Sequence, residues 1–190
     1  ASDVYKRQVE EKPSDQIELS GGWGGGRIVG TLGVSFTNFS AKNMFQKGSW
    51  KPIPTGDGQR LSLRAQSNGA FFQSYNLSFM EPWMGGKKPN ALSFSAWRSI
   101  QSNGQPKRIE GELNSLRQSL EITGVQVGFG QRWKKPDDWF TMNVALSYQH
   151  FNLDNYGVFF SFSNGVANNL AANFTLARNS ISDPIYPVWG

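Results

Sequence analysis

The 190-residue chain has no cysteine. This excludes a disulfide framework and any zinc site that depends on thiolate ligands. The chain has one histidine, His150, which we interpret as a strand-end residue because no carboxylate pattern accompanies it as metal ligands would. No apolar run approaches the roughly 20 residues of a membrane-spanning helix. The start shows no signal-peptide pattern, so the sequence predicts either a cytosolic protein or an internal piece of a longer chain.

Catalytic signatures are equally scarce. Asp137 and Asp138 are adjacent and would point to opposite faces of an extended chain, which is typical of a turn and unsuitable for paired acid–base chemistry. The stretch GGWGGGRIVG, residues 21–30, lacks the Gly-Lys-Ser/Thr ending of a phosphate loop and the G-x-G-x-x-G spacing. No Ser-His-Asp set has a plausible spacing. We therefore predict that the chain is not an enzyme and uses no cofactor.

The net charge of +5 does not indicate a nucleic-acid partner, because the lysines and arginines form no compact run. What the chain has in quantity is glycine, 21 residues, and aromatic residues, 14%. That mixture favours strands and tight turns. Apolar and polar residues alternate with period two in eight segments, which predicts eight antiparallel strands. These segments are residues 17–23, 28–36, 60–66, 75–79, 92–97, 125–130, 142–149 and 170–177.

The alternation divides the side chains between two faces of the predicted sheet. We expect an apolar set on the convex face: Leu61, Leu63, Leu77, Phe79, Val127, Phe129, Val144 and Leu146. We expect a polar set on the concave face, which includes Arg64, Gln126 and Asn143.

The predicted connections alternate between two kinds. One kind contains Ser-Asn-Gly, at residues 67–69, 102–104 and 163–165, and Asn-Gly suits tight hairpin turns. The other kind is rich in proline and tryptophan, and its long member between residues 38 and 60 is expected to hold a short helix. The aromatic residues expected at a membrane interface are Trp83, Trp133, Trp139, Tyr186 and Trp189, with Trp50 at the same end.

Strands with an aromatic girdle at their ends are typical of a transmembrane β-barrel. The fold we predict is therefore all-β: an antiparallel up-and-down transmembrane β-barrel. Period-two strands also fit a soluble β-sandwich with one buried face, here a carbohydrate-binding one, and this alternative stays open.

Three stretches carry a family resemblance: IELSGGWGGGRIVGTLGVSFTNFSAKNMF, GDGQRLSLRAQSNG and YNLSFMEPWMGGKKPN. With the ending LARNSISDPIYPVWG, they resemble the barrel of the BamA family of outer-membrane protein assembly factors, most closely in its Bacteroidetes-like form. The family's barrel has sixteen strands, so the resemblance implies that residues 15–190 are an incomplete, N-terminal half barrel of about eight strands. Residues 1–14 would be the tail that follows a POTRA domain, and that domain is missing from this chain.

The resemblance also implies a function: assembly and insertion of other β-barrel proteins, by an integral protein of the bacterial outer membrane. Implied partners are outer-membrane lipids or lipopolysaccharide, unfolded β-barrel clients and accessory assembly lipoproteins. The first strand would be the lateral-gate edge, and we expect it to be the least secure of the eight. That edge comprises Ile17, Glu18, Leu19, Ser20, Gly21, Gly22 and Trp23. A related outer-membrane polypeptide transporter is the alternative within the resemblance.

Overall fold

The computed structural model describes residues 15–24, 27–50, 53–86, 90–133, 135, 137–158 and 161–180. These residues form ten strands and one short 3₁₀ helix, Lys42–Phe45, which confirms the short helix expected in the long turn. No helix in the described part of the chain has the length and apolar character to cross a membrane. The strands are β1 Gln16–Gly24, β2 Arg27–Phe39, β3 Gln59–Asn68, β4 Phe72–Glu81, β5 Ala91–Ser102, β6 Arg108–Ile109, β7 Glu112–Leu113, β8 Ser119–Trp133, β9 Phe140–Asp154 and β10 Gly165–Arg178.

Eight of the strands form one antiparallel sheet in the order β1-β2-β3-β4-β5-β8-β9-β10. Each strand pairs with its neighbour in the sequence, and the small hairpin β6–β7 lies within the connection from β5 to β8. The predicted eight-strand meander is confirmed. Strands β1 and β10 form its two edges and do not pair with each other, so the sheet is open, as expected of an incomplete barrel.

The strand register confirms the two predicted faces, because residues directly opposite each other point to the same side of a sheet. Along one row of the apolar face lie Phe36, Leu61, Phe79, Phe94, Val127, Leu146 and Ala172. The adjacent row of the polar face holds Ser35, Ser62, Ser78, Ser95, Gln126, Ser147 and Ala171.

In β8 and β9 the apolar face is also the more exposed one. In β8 and β9, Val127 is 48% and Leu146 54% exposed, whereas the glycines of the opposite face at 124 and 128 are buried. The inner side of a curved sheet has less room for side chains than the outer side, so small residues such as glycine fit there. A β-sandwich would bury the apolar side beneath a second sheet. The main sheet has no such cover among the described residues, so the sandwich alternative is not supported.

The Ser-Asn-Gly turns are only partly as predicted. Their glycines adopt positive φ, 58° at Gly69, 82° at Gly104 and 129° at Gly165, which glycine tolerates without strain. Only Gly69 lies in a short hairpin connection, between β3 and β4. Gly104 is the second residue of the long connection that contains β6 and β7, and Gly165 is the first residue of β10. The tripeptide therefore specifies a local backbone conformation and not the length of the loop.

Candidate functional site: the edge strand and the apolar band

Strand β1, the candidate gate edge, is the shortest strand of the eight-stranded sheet, with nine residues. It pairs with β2 without interruption, from Gln16 opposite Ser35 to Gly24 opposite Arg27. The frayed pairing that the gate hypothesis suggested is therefore not seen. The side chains of Ile17, Leu19 and Trp23 lie on the apolar face and are 78%, 80% and 73% exposed, so they contribute little packing to the sheet.

The first half of β1 is held by polar contacts. The Asp15 carboxylate, just before the strand, accepts a hydrogen bond of 3.2 Å from the backbone N–H of Thr37. On the polar face, Glu18 forms an ion pair of 3.1 Å with Arg64 of β3, which reaches over the intervening strand β2. Gly33 lies between the two, and a Cβ there would sit 3.3 Å from Glu18 atoms. Glycine at this position leaves room for a contact that links three strands.

In the part of the chain that the structure describes, the second half of β1 has no comparable side-chain contacts. Gly21 lies opposite Gly30, so that pair has no side chain on either strand. Yet neither Gly21 nor Gly22 is required by space: a Cβ at Gly21 would meet only the Val29 carbonyl oxygen at 3.7 Å, and one at Gly22 would meet nothing within 4 Å. Neither residue has a positive φ. These glycines therefore weaken the strand without serving a turn or a close contact within the described residues.

The apolar face forms a band that is inclined to the rows of the sheet. In β1 the apolar-face positions run from Ile17 to Trp23, with Ser20 at the midpoint, and the register relates Ser20 to Ala167 of β10. In β10 the apolar-face positions without a polar interruption run from Leu170, beyond Asn168, to Leu176, so the midpoint lies six residues further along the strand. Six residues span roughly 20 Å, and seven strand spacings span roughly 34 Å.

That displacement corresponds to an inclination of roughly 30° between the band and the hydrogen-bonding rows, close to the 35–45° strand tilt of outer-membrane barrels. A band level with a membrane plane must drift along successive tilted strands in this way.

Among the described residues, four tryptophans lie where this band ends, at the end of the sheet that carries the β2–β3, β4–β5 and β8–β9 connections, here called the tryptophan end. Trp133 closes β8 on the apolar face and is 39% exposed, and Trp83 follows β4 and is 55% exposed. Trp139 is half-buried, and its backbone N–H donates a 3.0 Å hydrogen bond to Asp137. The fourth is Trp50. Tyr186 and Trp189, which complete the predicted set, lie outside the described residues.

The opposite border of the band, at the end with the Ser-Asn-Gly loops, is marked by polar groups on the same face that the sequence reasoning did not identify. Arg98 of β5 forms an ion pair with Glu121 of β8.

A second polar group joins β9 and β10 at this border. The Asn168 side-chain oxygen accepts a hydrogen bond of 2.8 Å from the Tyr148 hydroxyl, and the same oxygen lies 2.7 Å from Nδ1 of His150. His150 is thus a border residue, although β9 continues to Asp154. Trp23 lies at this end of β1, so aromatic residues occur at both borders.

Asp137 and Asp138 lie in the turn between β8 and β9, as the sequence predicts. Asp137 forms a 3.0 Å ion pair with Arg178 in addition to its contact with Trp139, which fixes the β8–β9 turn against the end of β10. Among the described residues, no group of three or more His, Asp or Glu side chains could hold a metal ion.

An open antiparallel meander with an exposed, inclined apolar band and aromatic borders defines part of a transmembrane β-barrel. The sequence model of the Omp85 superfamily domain matches residues 55–190, which is more than half of the chain, and the protein belongs to the Omp85 superfamily. Members of this superfamily are outer-membrane β-barrels that insert or transport proteins. A comparison with curated proteins gave no match.

Proposed function

We propose that this chain is the first half of the barrel of a BamA-type assembly factor with Bacteroidetes-like features, and that β1 is the edge at which client barrels are assembled. In this arrangement residues 1–14, which lie outside the described part, lead from a POTRA domain. The tryptophan end faces the periplasm and the Ser-Asn-Gly loops face outward. The partners are outer-membrane lipids, unfolded β-barrel clients and accessory lipoproteins.

The observation that carries this proposal is the free space around Gly21 and Gly22. A strand that only had to close a barrel would gain stability from β-branched side chains at such positions. Glycine there lowers the stability of the edge by roughly 0.5–1 kcal/mol per residue relative to alanine. The weak half of β1 is therefore the part of the strand that separates most easily from a neighbour.

The mechanism is strand addition. In the full barrel, β1 would pair with the final strand on the side away from β2. When β1 separates from that strand, its backbone N–H and C=O groups on that side become available. An extended client segment can then pair with them, as in β-augmentation. During this opening, Asp15 still holds the first half of β1 to β2, and Glu18 still holds it to Arg64 of β3. The edge can therefore open while β1 stays in the sheet.

The test uses the full-length protein with a disulfide between Ser20→Cys in β1 and a cysteine opposite it in the final strand of the barrel. The oxidised protein should fail to assemble client barrels, and reduction should restore assembly. A matched control places the second cysteine on a non-adjacent strand, so that no bond forms. Normal assembly by the locked protein would show that β1 is not the gate. If the lock instead blocks secretion of a partner polypeptide and spares client barrels, the protein is a transporter of the same superfamily.

A further inference from the structure

The described residues of the long turn between β2 and β3, 40–50 and 53–58, are held together by hydrogen bonds. The Ser40 hydroxyl donates a 2.6 Å hydrogen bond to Asp57, and the Ser40 backbone N–H donates to the Pro54 carbonyl at 3.0 Å. The Asn38 side chain accepts a 2.9 Å hydrogen bond from the backbone N–H of Gly58. Ser40 and Pro54 are fully buried. These contacts fix the turn's described residues relative to the strands on either side.

The turn lies on the apolar side of the sheet. Gln59 shares a face with Leu61 of the apolar set, and the turn residue Ala41 donates its backbone N–H to the Gln59 side chain at 2.7 Å. The ring of Phe39 contacts Phe79, also of the apolar set, edge-on at a centroid distance of 6.4 Å. Phe39 and Gln59 are each only 5% exposed. Since the turn covers them, it stands outside the barrel wall and not in the lumen.

The outer surface of this turn combines apolar and basic side chains. Phe45 is 87%, Trp50 56% and Met44 38% exposed, and the Trp50 indole N–H donates a 3.1 Å hydrogen bond to the Met44 carbonyl. Lys42 and Lys47 are also exposed. The sequence from residue 40 to residue 58 contains three lysines and one acidic residue, Asp57, whose carboxylate accepts the hydrogen bond of the Ser40 hydroxyl. Exposed Phe and Trp beside lysines is the composition of segments that lie in a lipid interface, and the charge complements anionic headgroups.

We propose that the described part of this turn, residues 40–50 and 53–58, is a membrane anchor: Phe45 and Trp50 enter the phospholipid leaflet beside the tryptophan end of the sheet, and Lys42 and Lys47 contact its anionic headgroups. The anchor fixes the height of β2 and β3 in the membrane, directly beside the edge strand β1. The proposal depends on the membrane placement of the barrel and not on its role in assembly.

The experiment places a single environment-sensitive fluorophore on the protein, because this chain has no cysteine of its own. The full-length protein, with any cysteine outside this chain replaced by serine, is reconstituted with Phe45→Cys labelled. The vesicles contain phosphatidylcholine with or without phosphatidylglycerol. Val127→Cys, in the apolar band, is the lipid-exposed control, and Gln105→Cys, in the β5–β8 connection, is the water-exposed control. Quenching by spin-labelled lipid is compared with quenching by aqueous iodide.

We expect the probe at position 45 to be quenched by lipid severalfold more than the probe at position 105, and only weakly by iodide. Iodide quenching equal to that at position 105 would put the turn in water and overturn the proposal. Protection from both quenchers would mean that protein covers the turn, which also overturns it. If the Val127→Cys probe fails to meet lipid, the membrane placement itself is wrong, a failure distinct from that of the anchor alone.

The basic residues are tested separately with Lys42→Glu and Lys47→Glu in the labelled Phe45→Cys protein. Lipid quenching should fall in vesicles that contain phosphatidylglycerol and stay nearly unchanged in phosphatidylcholine alone. An equal response in both lipids would contradict the proposed contact with anionic headgroups.

Discussion

Strands β1 and β8 both contain several glycines, but the surroundings of those glycines differ. In β8 the glycines face crowded positions: a Cβ at Gly124 would collide with the Trp97 ring, and one at Gly130 would lie 2.8 Å from the Asn143 side-chain oxygen. In β1, Gly21 and Gly22 have room for a side chain. The same residue type therefore supports close packing in the interior of the sheet and lowers stability at its edge.

The two strands also differ in length and in the pairs they make. β8 pairs with β9 over fifteen residues, with Val127 opposite Leu146 and Phe129 opposite Val144. β1 has nine residues, and one of its pairs is glycine opposite glycine. Cross-strand apolar pairs each contribute roughly 0.2–1 kcal/mol, so the β8–β9 pairing is expected to persist under conditions in which the second half of β1 opens.

The largest effect is expected from a charge on the lipid-facing side of β8. Val127→Arg should destabilise the barrel in lipid by about 3 kcal/mol, since arginine near the bilayer midplane costs roughly 2–4 kcal/mol. Urea unfolding in vesicles measures this. Gln126→Arg, one residue away on the polar face, is the matched control and should be nearly neutral. Equal losses for the two variants would refute the assignment of the faces.

The next effect tests the packing of the β8 glycines. Gly124→Val should cost about 2 kcal/mol of unfolding free energy, because overpacking a crowded position forces neighbours to shift. Trp97→Ala in the same protein should recover part of that loss, since residues in contact are not additive. Strict additivity of the two substitutions would mean that the Trp97 ring does not occupy the space above Gly124.

The opposite result is expected in β1. Gly21→Val together with Gly22→Thr should stabilise the edge by roughly 1 kcal/mol, because both side chains fit and β-branched residues favour strands. Client assembly should slow in the same variant, measured as the rate at which a reference barrel becomes protease-resistant. If the edge is stabilised and the assembly rate is unchanged, the two glycines do not contribute to the opening of the gate.

The smallest effect concerns the contact between Glu18 and Arg64. Their side chains are 53% and 54% exposed, and exposed ion pairs contribute about 0–1 kcal/mol. Glu18→Gln should therefore lower stability by about 0.5 kcal/mol, and the difference should shrink at high salt. A double-mutant cycle with Arg64→Gln measures the pairwise contribution. A coupling energy of zero would mean that this ion pair does not help to hold β1 in the sheet.

The faces and the strand order were predictable from the sequence because a period of two fixes which residues share a side. Val127 and Gln126 could be assigned to opposite faces before any register was known. The positions of Trp83, Trp133 and Trp139 at strand ends were predictable for a similar reason, since tryptophan near proline marks a strand end. Their place at a membrane interface stays a prediction, as do Tyr186 and Trp189, which lie outside the described residues.

Features that depend on register or on long-range contact were not predictable. The contact of Glu18 with Arg64 requires that β1, β2 and β3 align so that Gly33 lies between them. The packing of Trp97 over Gly124 likewise follows from their opposition across β5 and β8. The hairpin β6–β7 consists of two-residue strands, too short for any periodicity. The hydrogen bonds that fold the β2–β3 turn onto the apolar side join residues 17 to 20 positions apart in the sequence.

The central claim is that β1 opens locally where β8 does not, and amide hydrogen exchange of the full-length protein in lipid nanodiscs tests it most directly. The backbone amides of Gly21, Gly22 and Trp23 should exchange more than about tenfold faster than those of Gln126, Val127 and Gly128, because local opening free energies differ between weak edges and packed strands. Exchange at equal rates in the two strands would contradict the account.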